Sequence, residues 1–385
     1  MIWNWQQTDW PQFTWQSGRL ALAEREFLVG GGMLAGTVKH LPGDERDQLT
    51  VEAMSREAVT TSEIEGEVLD WASVQSSIRK QLGLAADKRR AGPAEQGVAE
   101  MMVDLYRSFA APLTEEMLVA WHRMLMAGRP DLADIGRYRT AEEAMQIVSG
   151  ALGEPKVHFE APPSSRVRTE MERFIEWFNR TAPEGSDPLP ALTRAGVAHL
   201  YFECIHPFED GNGRIGRAIA EKSIAQSLGQ PMLTALATTI LARRRSYYEA
   251  FEAANRRNEI TGWLAWFAGV AIEAQRRTLA LCEFVVDKAK LFERLKGRIN
   301  ERQEKALARM FREGPEGFKG GMSAGKYATI TGASPATTTR DLVDLVEKGA
   351  LVRAGELRHA RYYLNVPSRA LKHVSVNDRG ELVED

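Results

Sequence analysis

One short run, His206-Pro207-Phe208-Glu209-Asp210-Gly211-Asn212-Gly213-Arg214-Ile215-Gly216-Arg217, gathers most of the chemistry this chain could perform. Asp210-Gly211-Asn212-Gly213 is turn chemistry that opens directly into a helix from Arg214. Successive backbone N–H groups at such a turn, aimed by a helix N-terminus, bind anions. Arg214 and Arg217 stand three residues apart, share one helical face and add fixed positive charge to it. Ile215 turns toward another face and packs. Asp210 offers a hard oxygen to Mg²⁺, which is usually held by one or two carboxylates plus substrate phosphates. His206 can accept a proton near neutral pH. Base, metal ligand, anion cradle and paired arginines describe phosphoryl or nucleotidyl transfer.

Two competing motifs fail on context. Gly211 to Gly216 matches G-x-G-x-x-G, but the dinucleotide fingerprint needs a preceding buried strand, and the residues before it read as a helix. The run from Gly320 to Lys326 approaches a P-loop, yet Tyr327 stands where a hydroxyl should reach Mg²⁺.

The run 206–217 resembles the signature of the Fic family, H-x-F-x-D-G-N-G-R-x-x-R, at every fixed position. That resemblance implies a mostly helical fold and transfer of AMP from ATP to a Ser, Thr or Tyr hydroxyl of a target protein. It implies that His206 deprotonates the hydroxyl and that Asp210 holds Mg²⁺. Gly211, Asn212 and Gly213, continuing through Ile215 and Gly216, would cradle phosphates, with Arg214 and Arg217 on the β- and γ-phosphates. A hairpin over 145–163 looks like the family's flap, which aligns the target by strand pairing. Val157, His158, Phe159 and Glu160 would line the nucleotide, and Tyr247, Tyr248 and Asn255 resemble the adenosine pocket. Thr61-Ser62-Glu63-Ile64-Glu65-Gly66 matches the inhibitory motif [S/T]-x-x-x-E-[G/N], with Thr61, Glu65 and Gly66 at its fixed positions. The implied restraint is a Glu65–Arg217 pair that occupies the arginine ATP needs. The Trp-rich start also resembles a Fic subgroup with an N-terminal inhibitory helix and a C-terminal winged helix. De-AMPylation, or transfer of another phosphoryl group, stays within the same fold as an alternative.

The elements that must position these residues are mainly helices. Helical patterning runs over 20–82 with a break at Leu41-Pro42-Gly43-Asp44, and Gly66 reads as the residue just past a helix end, which puts Glu65 in the last turn. Helices follow near 95–110 and 114–127, where Thr114 can cap only alone because Met117 replaces the acid of a capping box. Period-2 patterning over 145–163 gives the hairpin. Helices resume over 168–181, 191–203, 213–228, 240–258 and from Trp263, and a charged helix spans 293–313. Ser334 before Pro335 is a start signal for a later helix. A hairpin at 351–364 completes the order of a winged helix-turn-helix. The fold class is therefore mainly α. The expected domains are an aromatic and inhibitory segment at 1–90, a catalytic core at 91–290, a winged helix at 291–373 and a tail at 374–385.

Composition narrows the partners. In 385 residues, 50 Lys+Arg against 52 Asp+Glu leave a net charge of −2, so no global field demands nucleic acid or membrane. Two distant cysteines, Cys204 and Cys282, fit a reducing compartment. No signal peptide or membrane-spanning run is read, so a cytoplasmic location is expected. The aromatics Trp3, Trp5, Trp10, Phe13 and Trp15 read as a cap that buries its rings on the core. The C-terminal segment is modestly basic, with Thr337, Thr338, Thr339 and Arg340 near the start of its recognition helix. A DNA-binding regulator is the alternative function. Self-modification and a homodimer are left open.

Overall fold

The computed structural model describes every residue except 1, 88, 150–155, 232–233, 315–316, 319, 357–358 and 368–370. It is mainly helical. A 3₁₀ turn at Asn4–Gln6 precedes α1 (Ser17–Lys39), α2 (Gly43–Ile64), α3 (Trp71–Gln81), α4 (Pro93–Ser108) and α5 (Glu115–Leu125). The hairpin β1 (Gln146–Ser149) and β2 (Lys156–Glu160) follows, then α6 (Ser164–Arg180), α7 (Ala191–Ile205), α8 (Asn212–Leu228), α9 (Leu236–Ala242), α10 (Arg244–Ala254) and α11 (Thr261–Leu295). The rest is α12 (Glu301–Phe311), α13 (Ala324–Thr331), α14 (Pro335–Glu347), β3 (Leu351–Ala354), β4 (Arg361–Leu364), β5 (Val374–Val376) and β6 (Leu382–Glu384). Among the described residues, no helix is long and apolar enough to cross a membrane.

Two compact units result, divided differently from boundaries at 90, 290 and 373. One comprises Met1–Gly36, Thr50–Thr278 and Lys372–Asp385; the other comprises Thr37–Leu49 and Leu279–Leu371. The first carries the candidate site. Its centre is α7, buried at every position. A helix without a polar face needs its charged residues satisfied internally. Arg194 on α7 does this by donating to the Phe178 carbonyl and the Gln226 side-chain oxygen, both at 2.8 Å. The N-terminus of α7 is capped from far away in sequence. The Glu24 carboxylate on α1 accepts from Leu192 N at 2.9 Å, Thr193 N at 2.7 Å and Thr193 Oγ1 at 2.8 Å.

The aromatic start packs as a brace behind the hairpin. Trp3 meets Phe159 edge-on at 5.4 Å, Trp5 Nε1 donates to the Glu160 carbonyl at 2.6 Å, and Asn4 N donates to the Asn255 carbonyl at 2.8 Å. Strands β1 and β2 pair antiparallel with Ile147 opposite Phe159 and Val148 opposite Val157, the register slipping between them. The helix expected over 240–258 is two helices, broken at Arg243. Neither Gly nor Pro causes this break. Glu57 caps α9 through Ala237 N at 2.6 Å, and Arg243 turns away to Glu273 and the Val374 carbonyl. The tail forms the β5–β6 hairpin, with Arg19 bridging to Asp378 at 2.8 Å.

In the second unit the charged helix expected over 293–313 is also interrupted. Gly297 adopts φ +69°, and Asn300 with Gln303 forms a capping box that starts α12. Ser334 caps α14 with Pro335 at its first position. Leu307, Met310, Tyr327, Leu342 and Tyr362 share this unit's core.

Because three donors converge on one buried carboxylate, Glu24→Ala should cost about 2 kcal/mol in urea unfolding. Glu24→Gln, which keeps an acceptor, should cost clearly less.

Candidate functional site

The chain leaves α7 through His206, the only non-glycine residue with positive φ among those described, at φ 50° and ψ 59°. For a residue with a Cβ this left-handed conformation costs roughly 1–2 kcal/mol. It ends the helix and swings the imidazole out of the α7 spiral. Arg139 holds it there: Nε donates to the His206 carbonyl at 2.8 Å while NH1 donates to Ser164 Oγ at 2.9 Å. The return path is closed by Asn212. Its Oδ1 accepts from Phe208 N and its Nδ2 donates to the Phe208 carbonyl, both at 2.9 Å. Phe208 is buried and stacks on His122, ring centres 4.2 Å apart. Gly211 turns the chain into α8 at φ +82°, and a Cβ there would also lie 2.8 Å from Met126 Cε. The Asn212 side chain is thus spent on the loop, so only its backbone is left to meet an anion.

Burial, and then the Arg139 charge, push the His206 imidazole down to about 4. It is neutral at pH 7 and able to take a proton. Its Nδ1 lies 3.8 Å from Glu203 Oε2. Burial, reinforced by the Glu65 charge, pushes the Glu203 carboxyl up to about 8. The sequence reading missed Glu203; its signal was the spacing, three residues before His206 and so on the adjoining turn of α7.

Burial of Asp210 acts to raise its carboxyl. The Arg129 hydrogen bond, the Arg214 charge and the Gly211 N–H outweigh it and hold the group below the usual carboxylate range. Arg129 NH1 donates to Asp210 Oδ2 at 2.7 Å; this partner too was absent from the sequence reading. Among the described residues no group of three or more His, Cys, Asp or Glu could hold a metal. One ionised, half-exposed carboxylate fits Mg²⁺ held chiefly by phosphate oxygens and water, not a metal in an all-protein cage.

Both arginines of the motif are buried and paired. Arg217 Nε donates to Thr61 Oγ1 at 2.7 Å, and its NH2 donates to the Thr61 carbonyl at 2.9 Å and to Glu65 Oε1 at 2.7 Å. Glu65 lies directly over the start of α8, where a Cβ on Gly213 would come within 2.3 Å of its Oε1. Helix α2 ends at Ile64, so Glu65 stands one residue past the last turn and not within it. Gly66, at φ +85°, then reverses the chain. The reversal brings in a second carboxylate the motif did not name: Arg214 NH1 donates to Glu67 Oε2 at 2.6 Å. Arg214 Nε and Arg217 NH1 are buried without a hydrogen-bond partner among the described residues. Ile215 is fully buried in the core and does not face this site. Gly216 faces Glu203, whose Oε1 a Cβ would meet at 2.3 Å.

A cavity of about 730 Å³ connects the parts. His206, Gly213, Glu65, Tyr248, Phe251 and Asn255 all line it. Tyr247 is a buried member of the wall whose hydroxyl meets His199 Nε2 at 3.0 Å. Asn255 is buried too; its Nδ2 donates to the His158 carbonyl at 3.4 Å, and Oδ1 has no partner among the described residues. The hairpin contributes Ile147, Val148, Ser149, His158 and Phe159, but Val157 and Glu160 do not line the cavity. Arg244 and Arg245, which the sequence reading passed over, do.

Residues 112–223 match the Fic/DOC family, and residues 3–84 match a domain of unknown function, DUF4172. Over 138 residues the chain is 27% identical to "Protein adenylyltransferase fic-1" of Caenorhabditis elegans and 26% identical to the protein of the same name in Caenorhabditis briggsae. Each match covers 36% of this chain and 23% of the relative, so this chain spans about a quarter of their length. Among solved structures it is similar to a Fic family protein from Desulfovibrio desulfuricans G20, at 22% identity and a TM-score of 0.49, over 90% of this chain and 97% of that one. It is also similar to residues 134–508 of Fic-1 from C. elegans, at 18% identity and a TM-score of 0.48, over 69% and 74%.

Two outcomes follow from this geometry. His206→Gly should be more stable than His206→Ala by about 1 kcal/mol in thermal or urea unfolding, because only glycine takes φ +50° without strain. A carboxyl raised from 4.5 to about 8 on folding contributes stability that is full below pH 4.5 and lost as pH rises through 8. Wild type should therefore lose melting temperature more steeply than Glu203→Gln across that window.

Proposed function

We propose that the Fic/DOC domain at residues 112–223 makes this chain a protein adenylyltransferase, restrained by the carboxylate of Glu65. The observation that carries the reading is one cavity shared by His206, Gly213 and a pocket of Tyr248, Phe251 and Asn255. Such a cavity seats a nucleoside at its aromatic end and phosphates at the start of α8.

Backbone N–H groups of residues 212 and 213 and the two buried arginines hold the triphosphate. Asp210 would hold Mg²⁺ together with the phosphates, and the ion would supply neutralisation of their charge. His206 takes the proton of a Ser, Thr or Tyr hydroxyl on the target. The hydroxyl oxygen bonds to the α-phosphorus as pyrophosphate leaves. Positioning and charge neutralisation account for most of the rate in such transfers. The target reaches the site beside the hairpin, because among the described residues β1 pairs with β2 alone and its four residues are exposed.

Restraint comes from competition for Arg217. A guanidinium buried to 3% exposure must be met by an anion. Glu65 meets it when nucleotide does not, and so excludes or misplaces the γ-phosphate.

Glu65→Gly should raise AMP transfer about tenfold or more, whereas Glu63→Gly, at an exposed position, should not. Equal rates in wild type and Glu65→Gly would defeat the restraint. His206→Ala should slow transfer to an added target by ~10²–10⁴-fold while ATP binding persists. Label retained on the target from γ-labelled ATP but not from α-labelled ATP would replace adenylyl with phosphoryl transfer.

A further inference from the structure

Glu203 is a buried carboxyl to which the transfer above gives no task. It sits on α7 at 5% exposure and lines the same cavity as His206. Its Oε2 lies 3.8 Å from His206 Nδ1. Its Oε1 is wedged against Gly216 of α8, where a Cβ would come within 2.3 Å of it. Oε1 and His206 Nδ1 are both buried without a hydrogen-bond partner among the described residues. Among those residues, too, His206 is the one group within ion-pair distance of Glu203 that can become a cation. Around the two stand His199 and Cys204 on α7, Arg217 on α8, Tyr247 on α10 and Glu65 beyond α2, with Arg139 on the His206 carbonyl. Burial keeps His199, Cys204 and Tyr247 neutral at pH 7. The charges that bear on the pair are therefore Glu65, Arg217, Arg139 and Asp210.

The two states of this carboxyl act on the ring in opposite ways. Ionised, it only accepts: Nδ1 carries the hydrogen, Nε2 keeps its lone pair, and a full negative charge stands behind the imidazolium. Protonated, its O–H donates to Nδ1, the ring hydrogen moves to Nε2, and no lone pair is left for the substrate. A gap of 3.8 Å is the loose form such contacts take before substrate binds. We propose that Glu203 is the positioning residue of His206, holding Nε2 free while ionised and disarming the base when protonated. The proposal rests on the AMP-transfer reading above. In that transfer the hydroxyl oxygen bonds to the α-phosphorus, and pyrophosphate leaves with the electron pair of the broken P–O bond. The hydroxyl proton goes to Nε2; Glu203 exchanges nothing with the substrate. The Glu203 carbonyl also favours the charged ring, but a group without a titrating proton cannot set the tautomer both ways. Burial, and then the Glu65 charge, push the Glu203 carboxyl up to about 8, with Arg217 opposing. His206 itself, held down at about 4, stays neutral while Glu203 titrates. The base is thus armed as pH rises.

The test has two arms. The first needs no nucleotide: long-range proton–nitrogen NMR spectra of the full wild-type chain with labelled histidine, the His206 signals being those absent from His206→Gly. The hydrogen is expected on Nδ1 in alkali and on Nε2 once pH has fallen through about 8, and Glu203→Gln should abolish the change. A wild-type tautomer that stays the same between about pH 6 and 9 overturns the proposal, and this holds even where Glu203→Gln does not fold. The second arm follows AMP transfer to an added target by chains carrying Glu65→Gly. Their kcat should rise with pH through the Glu203 ionisation. Adding Glu203→Gln should remove that rise and lower kcat ~10²-fold at the alkaline end, while KM for ATP holds within about twofold. A uniform loss at every pH with the rise retained marks a packing role and overturns the proposal, as does an unchanged rate. No transfer by the Glu65→Gly chain at any pH overturns the adenylyltransferase reading instead, and the tautomer arm alone then decides on Glu203.

Discussion

The pair of hydrogen bonds between the Asn212 amide and the Phe208 backbone is the constraint on which the site depends. Helix α7 ends in a left-handed residue and α8 must begin only six positions later, beside it. A loop that short has few backbone groups with which to brace itself. One side chain that accepts through one atom and donates through another closes it, and the Asn amide does both; Asp lacks the donor. The closure fixes His206, Asp210 and Gly213 relative to one another without spending the backbone N–H groups at the start of α8. Phe208, packed on His122, keeps the loop from turning as a body.

What surrounds that loop is a problem in buried charge. Arg214 and Arg217 are 5% and 3% exposed, far too buried to go without anions. The segment after α2 solves it twice, through Glu65 and Glu67, because the Gly66 reversal turns two carboxylates toward one helix face. A carboxylate just past a helix end faces the negative pole of that helix. Its contact with a fully desolvated guanidinium is worth more than that repulsion costs. The acidic run after Ile64, which in sequence reads equally as a solvated helix end, owes its placement to the two arginines on α8.

Legibility in the sequence tracked the range of the interaction. Local signals were readable: Gly66 reversing after α2, Thr114 capping α5 alone, Ser334 with Pro335 opening α14, and the turn at 210–213. Contacts that span most of the chain were not. Nothing near residue 243 announces a helix break, because the partners that hold Arg243, Glu273 and the Val374 carbonyl, lie far away in sequence. Arg129 and Glu67 were invisible as site residues for the same reason: each acts through a partner on another element. Ile215, which the helical spacing turns to another face, is the converse case. It lies inside the motif, yet its side chain is core, since a helix carries every third or fourth residue to the same face and the intervening ones elsewhere.

Under the proposed function, the exchange between restraint and activity would follow from charge compensation at Arg217. If Glu65 simply withdrew, a buried guanidinium would lose its carboxylate and keep only Thr61. If a γ-phosphate took its place, the cation would stay compensated throughout, and the two states could differ by a modest free energy. His206 fits the same logic. Its imidazole is depressed to about 4 by burial and by Arg139, while Glu65 and Asp210 pull the other way. Replacing one carboxylate by a polyanionic triphosphate strengthens that upward pull at the moment the base must accept a proton. Under the proposed function, a substrate that displaced Glu65 would therefore also supply a negative field that makes His206 a better base.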